Sequence, residues 1–256
     1  MTTLTSNVVM RPYVSYWGMH KSARILDLIT SLYFPLYELS YKDFFAYYPV
    51  LGFVEALVYE VDEAVEALQE KELFSEVKNS WNQKHKIIID VLKTRNLYHS
   101  LIEQELENLG KYFELESQLL SQKDVTYEDI IKATELRTSD IRALHGILVQ
   151  VAKKTYDQKT FDVMWPLEVL IDIYDDITDY KDDVDKNHYN TYRMFVKFYG
   201  KKAPDYLKKE LARYESLFVK RLDSLPRKEQ KRFIKLVSEL EKDNSDKTIP
   251  QPILEW

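Results

Sequence analysis

The chain has 256 residues, ample for one large domain with a substantial core. Its 36 Lys and Arg against 42 Asp and Glu leave a net charge of −6, which argues against a nucleic-acid binder because no basic surplus exists to neutralise phosphates. The absence of cysteine excludes disulfides and thiol catalysis, and 5 Gly with 8 Pro are too few for the turns of an all-β or α/β fold of this length. Apolar residues instead recur at helical period along most of the chain, predicting one all-α domain over residues 1–256.

In chain order, residues 1–14 read as an irregular lead-in carrying Arg11. A helix follows over 15–34, with Lys21 and Arg24 on its polar side, and Pro35 is expected to interrupt it. A short helical piece over 41–48 leads to the break Pro49-Val50-Leu51-Gly52. Over 53–72 the pattern is strongly amphipathic: Val54, Leu57, Val58, Val61, Val65 and Leu68 share one face, while Glu55, Asp62, Glu63, Glu66 and Glu70 take the other. One or two helices then span 75–121, broken near Arg95-Asn96 or at Gly110. Thr126-Tyr127-Glu128-Asp129 has the form of a capping box opening a helix to about residue 154. A polar turn over 156–159, a helix over 160–183, a polar loop over 185–190 and a helix over 191–199 follow. Two further helices over 204–222 and 226–242 precede a polar tail over 243–256. No apolar run reaches the roughly 18 residues of a membrane span, and Met1 to Arg11 lacks a signal-peptide core. A soluble, cytoplasmic protein without a transmembrane segment is the expectation.

The segment over 160–183 carries the most informative pattern. Asp172, Asp175, Asp176, Asp179 and Asp183 fall within an arc of about 100°, opposite Val169, Leu170, Ile173 and Ile177. Five carboxylates on so narrow a stripe repel one another unless a polyvalent cation, or a cluster of Lys and Arg, faces them. Hard oxygen ligands at this density suit Mg2+, which holds a few carboxylates and turns its remaining positions to water and phosphate oxygens. A magnesium-dependent enzyme acting on a phosphorylated substrate is predicted. Asp175, Asp176 and Asp179 are its central metal ligands, and Asp172 and Asp183 are outer members.

Asp175-Asp176-Ile177-Thr178-Asp179 is a D-D-x-x-D, and with its lead-in Leu170-Ile171-Asp172-Ile173-Tyr174 it resembles the second aspartate-rich motif of trans-isoprenyl diphosphate synthases. These belong to the class I isoprenoid (terpene) synthase superfamily, whose members carry Gln where this chain has Asp172. The resemblance implies a helical bundle around a central cavity, in which two carboxylate clusters on facing helices hold three Mg2+ ions against an allylic prenyl diphosphate. It implies a first cluster well upstream of Asp175, for which Asp62-Glu63-Ala64-Val65-Glu66 is the candidate through Asp62 and Glu66. It also implies a diphosphate-binding cation near Arg137, which precedes Asp175 by about the interval at which elongating relatives have a Lys-Thr pair. Arg137 and Asp176 are the candidate catalytic residues. Arg142 lies about 140° from Arg137 on an ideal helix, so only one of the two is expected to face the cavity. Arg193 is the candidate cap over the diphosphate, and Arg213-Tyr214 resembles the C-terminal Arg-Tyr pair of the cyclases. Asp176→Asn is expected to cut turnover far more than stability.

The chain departs from the elongating enzymes in two ways. No Arg pair follows Glu66, and no early Gly-Lys motif is present. A second diphosphate would therefore lack a cradle, unless Arg11, Lys21 and Arg24 supply one, and the expectation is a terpene synthase that cyclises its substrate or eliminates a proton. Chain elongation stays open. Glu60-Val61-Asp62-Glu63-Ala64-Val65-Glu66 also resembles the E-E-x-x-E of all-α nucleoside triphosphate pyrophosphohydrolases, although the partner E-x-x-D is missing near Asp90. A non-catalytic helical scaffold is the third reading, and a di-iron protein is disfavoured because no E-x-x-H pair exists. Relatives of the synthase family are often dimers, so a homodimer is a further possibility.

Overall fold

A computed structural model describes residues 14–73, 78–122, 124–243 and 248–254 of the chain. The expected lead-in, with Arg11, lies outside the described residues apart from Val14. Among the described residues the regular structure is helical throughout: α1 (Tyr16–Tyr37), α2 (Tyr41–Gln69), α3 (Lys78–Thr94), α4 (Ser100–Ser121), α5 (Tyr127–Arg137), α6 (Ser139–Val151), α7 (Gln158–Lys186), α8 (Thr191–Tyr199), α9 (Ala203–Asp223) and α10 (Arg227–Asp243). One 3-10 turn, Gly200–Lys202, joins α8 to α9.

Two expected breaks are absent because packing on either side of the proline outweighs its cost of ~3 kcal/mol in a helix interior. α1 runs through Pro35, which sacrifices one backbone hydrogen bond worth about 1 kcal/mol. The helix ends instead at Glu38, in the left-handed region with φ 57°. There the Leu39 N–H reaches the Phe34 carbonyl at 2.8 Å and the Glu38 N–H reaches that of Pro35 at 3.4 Å, a Schellman closure. α2 likewise absorbs Pro49 and Gly52 into one 29-residue helix. Its start is set by Asp43, whose carboxylate accepts from the Ser40 N–H at 2.7 Å.

Of the two alternatives for the break between α3 and α4, the chain takes the first, with Asn96 at φ 56°. Gly110 is inside α4, where a Cβ would come within 2.5 Å of the Trp81 ring. The predicted helix from Thr126 is divided at Thr138, whose hydroxyl turns back to the Glu135 carbonyl at 3.1 Å. Thr126 caps α5 as expected, accepting from the Asp129 N–H at 3.1 Å.

α1 packs along α2, α4 along α6 and α7 along α9, while α5 and α6 join the two halves. Gly18 allows α1 to approach α2, since a Cβ there would sit 2.8 Å from the Ala56 carbonyl oxygen. The core gathers Leu26, Ile29 and Tyr33 of α1, Leu57 and Val61 of α2, Ile147 of α6, and Ile173 of α7. Residues 248–254 are held against α7 and α8 rather than trailing as a free polar tail: the Tyr192 hydroxyl donates to the Pro250 carbonyl at 2.6 Å, and the Ile253 N–H to the Tyr180 hydroxyl at 2.8 Å. By length and composition alone α2 would pass for a membrane span, a qualification to the expectation that no segment does. In the bundle its apolar face, including Leu51, Val54, Leu57 and Val61, is buried against neighbouring helices.

Candidate active site

The acidic stripe of α7 faces inward. Asp172, Asp175, Asp176, Asp179 and Asp183 all line one cavity of about 240 Å³, together with Asp62 and Glu66 of α2 and Arg137 at the end of α5. The helices over 53–72 and 160–183 thus flank a common space, as the two acidic patterns imply. Leu170, Ile173 and Ile177 are buried on the other side of α7, and this amphipathic split is what rotates the stripe toward the cavity. The α5–α6 break sends Arg137 into the cavity and leaves Arg142 outside it. Arg142 pairs instead with Glu105 at 2.8 Å and with the fully buried Glu168 at 3.4 Å.

Asp176 is the most constrained member of the stripe. It is 2% exposed, its Oδ1 accepts from the Arg137 guanidinium, and its Oδ2 accepts from the Thr191 N–H at 2.8 Å, at the positive end of α8. Asn190 Nδ2 donates to the Asp176 carbonyl at 2.6 Å and to Asp183 Oδ2 at 2.9 Å. Arg137 also reaches Asp175 at 3.4 Å. Asp175 is half exposed and Asp179 exposed, while Asp172 and Asp183 are intermediate, so the buried Asp176 sits in the middle of the stripe.

Arg193 corrects an expectation. Its side chain is buried below α8 and donates to the His188 carbonyl at 2.7 Å and to Asn187 Oδ1 at 2.8 Å, so it braces the loop over 187–190 and does not line the cavity. The position one turn into α8 points the guanidinium back along its own N-terminal loop. Arg213 and Tyr214 are also elsewhere: both turn to Glu135 of α5, and Arg213 pairs with Glu210 at 2.6 Å.

Several cavity residues have no motif to mark them. Glu55 and Tyr59 come from α2, Tyr112 and Glu116 from α4, Asp140 from α6, and His188 and Tyr189 from the loop after α7. Glu55 is legible in part, being two turns before Asp62 on the polar face of α2. His188 stands 3.6 Å from Glu66 and 3.1 Å from Glu70, and the Tyr189 N–H donates to Gln69 Oε1 at 3.0 Å, so this loop closes the ends of α2 and α7 together. Lys21 and Arg24 of α1 line the cavity too, and Lys21 pairs with Glu63 at 2.8 Å.

Ten carboxylate side chains and three permanent cations therefore line one cavity. Burial pushes the Asp62 carboxyl up to about 7, with Glu66 adding to it, while burial first and then neighbouring charge lift Asp183 to about 6. Burial likewise raises Asp140 to about 6, and raises Asp172, Glu55 and Glu116 well above the usual carboxylate range. Asp172 keeps one buried oxygen without a hydrogen-bond partner among the described residues.

Carboxylate oxygens are the hard donors that a divalent cation such as Mg2+ takes. No three His, Asp or Glu side chains among the described residues converge on one point as a ready-made cage. Mg2+ does not ask for one, since it is commonly held by one or two carboxylates with water and substrate phosphates completing the octahedron. The pH dependence of stability follows from the same crowding. A carboxyl whose folded pKa lies above its unfolded value near 4 binds its proton more tightly in the folded state, so stability is lost as pH rises from about 4 to about 7. The melting temperature should accordingly be higher at pH 5.5 than at pH 8. Mg2+ should raise it at pH 8 and flatten the difference. Differential scanning fluorimetry across that range checks this, and a melting temperature that falls on acidification to 5.5 would refute it.

No protein-family model, no curated protein and no solved structure matches the chain. What the site does is therefore read from its own residues.

Proposed function

We propose that the protein is a Mg2+-dependent class I terpene synthase, which ionises an allylic prenyl diphosphate and releases diphosphate. One observation carries this reading: the two acidic stripes, Asp62 and Glu66 on α2 and Asp172 to Asp183 on α7, line the same cavity with Arg137 between them. Asp62, Glu66, Asp175, Asp179 and Asp183 would hold Mg2+ against the diphosphate. Held there, the metal would supply charge stabilisation of the departing oxygens. Arg137 offers a planar fork to the same oxygens, so that charge developing on the leaving group meets a donor already in place. Asp176 holds Arg137 in that position. Tyr59, Tyr112, Phe113 and Tyr189 add aromatic surface able to stabilise a cation and to keep water from it.

A second reading, chain elongation, is favoured by Lys21 and Arg24. These basic residues line the cavity from α1 and supply positive charge for a second diphosphate, which the stretch after Glu66 does not. Isotope-labelled geranyl, farnesyl and geranylgeranyl diphosphates, incubated with Mg2+ and with chelator, decide between the two. Mg2+-dependent diphosphate release with a hydrocarbon or alcohol product is the expected result. A longer prenyl diphosphate formed only with isopentenyl diphosphate would transfer the assignment to elongation. Cleavage of nucleoside triphosphates to monophosphates, with no turnover of the prenyl substrates, would overturn both.

A further inference from the structure

The two stripes match in length. Glu55 to Glu66 on α2 and Asp172 to Asp183 on α7 each span about three turns, roughly 16 Å of helix. Both line the same cavity, where the charge of Asp183 acts on Glu66, and the charges of Asp140, Asp62 and Asp172 act on Glu55. On α2 exposure falls from Glu66, with a third of its side chain open, to Glu55 at 1%. The cavity thus has a mouth at Glu66, Asp179 and Asp183, and an inner end at Glu55. A diphosphate at the mouth would direct the organic part of its ligand inward, toward Glu55.

That inner end is not built for a bare hydrocarbon. Both carboxyl oxygens of Glu55 are buried and lack a hydrogen-bond partner among the described residues, although the side chain lines the cavity. Asp140 and Asp172 lie close enough to be felt there, and Asp172 brings a second unpartnered group. A buried polar atom without a partner costs folding free energy, and native proteins keep few of them. An apolar side chain at residue 55 would avoid that cost if only a methyl-ended chain were to be received.

We infer that the ligand carries a hydrogen-bond donor, a hydroxyl or an ammonium group, at the end remote from its diphosphate, and that Glu55 selects it. The inference rests on the reading of the mouth as a diphosphate site. That group would pair with the buried Glu55 carboxyl, and an analogue lacking it would leave the carboxyl unpaired.

The probes are three non-ionisable geranyl thiolodiphosphates ending in methyl, hydroxyl and amine, with inorganic diphosphate as the reference, all in Mg2+. Calorimetry and thermal shift report binding to the full chain. The wild type should bind a donor-ended probe at least about tenfold more tightly than the methyl-ended one. Glu55→Leu should lose or invert that preference, retain its affinity for inorganic diphosphate, and melt higher. Glu55→Gln should keep the hydroxyl preference and lose the ammonium one, which separates the two donor types. Equal binding of all three tails by the wild type, or a preference unchanged in Glu55→Leu, overturns the inference while leaving the mouth intact. Should Glu55→Leu fail to fold, the wild-type comparison and Glu55→Gln decide alone. Failure of the wild type to bind inorganic diphosphate with Mg2+ overturns the reading of the mouth, and this inference with it.

Discussion

Asp176→Asn is expected to lower stability by about 3 kcal/mol and to abolish Mg2+-dependent diphosphate release. The carboxylate is buried, and it joins three elements at once: Arg137 at the end of α5, the Thr191 N–H at the start of α8, and its own helix α7. Asparagine keeps the shape but cannot neutralise Arg137, and one amide end must face a donor. Because Arg137 keeps Asp175 at 3.4 Å, the loss should fall toward the low end of what a broken buried pair costs. For a chain of this size that is about 6–12 °C in melting temperature. Asp179→Asn is the control. Asp179 is exposed on the same stripe, so its variant should stay within about 0.5 kcal/mol of the wild type while losing activity. Scanning calorimetry and a diphosphate-release assay measure both variants. Full activity and an unchanged melting temperature in Asp176→Asn would remove Asp176 from the site and from the framework. The sequence alone suggests an effect on turnover with little on folding. Burial and the bond to α8 are why folding must suffer as well.

Arg142→Ala should cost about 3–5 kcal/mol without touching the cavity. Its guanidinium lies between Glu105 and the fully buried Glu168, which also accepts from the Tyr33 hydroxyl. Burial already holds the Glu168 carboxyl up to about 7, with Arg142 pulling against it. Removing that cation raises the folded value further above the unfolded one. The cost of the ionised Glu168 is then present above the raised value and is relieved as pH falls through it. The destabilisation should therefore be larger at pH 8 than at pH 6, and Glu168→Gln in the same chain should recover part of it. Activity per folded molecule should be retained, since Arg142 faces away from the diphosphate end. Denaturant unfolding at the two pH values reads this. A loss no larger than the roughly 0.5 kcal/mol of an ordinary surface substitution, or one independent of pH, would show that the buried network carries no such charge pairing.

The helical class, the orientation of α7 and most of its stripe are legible because they depend on local rules. A 3.6-residue period places the carboxylates of Asp172 to Asp183 on one side and Leu170, Ile173 and Ile177 on the other, whatever surrounds them. The capping signal at Thr126 and the breaks at Gly200 and Ser224–Pro226 act over a few residues and can be read directly. The same local reasoning misjudges Pro35 and Pro49. Whether a helix tolerates the loss of one hydrogen bond depends on what packs against it beyond the proline.

Tertiary structure alone decided which charges meet. Sequence spacing separates Arg137 from Arg142, but it does not say that the chain breaks at Thr138, or that Asp176 already engages Arg137. Nor does it show Arg193 spent on its own loop, because the cation and the carbonyl it binds are joined by a turn whose direction is set by α7 and α8 packing. Glu116, Asp140 and His188 sit on separate elements with no shared motif, and enter the cavity only when α4, α6 and the loop over 187–190 close around it. The amino-acid order determined two amphipathic helices, each with a stripe of carboxylates of matching length. That they face one another across a buried space, with an unpartnered Glu55 at the inner end, is a consequence of long-range packing, which no periodicity along the chain encodes.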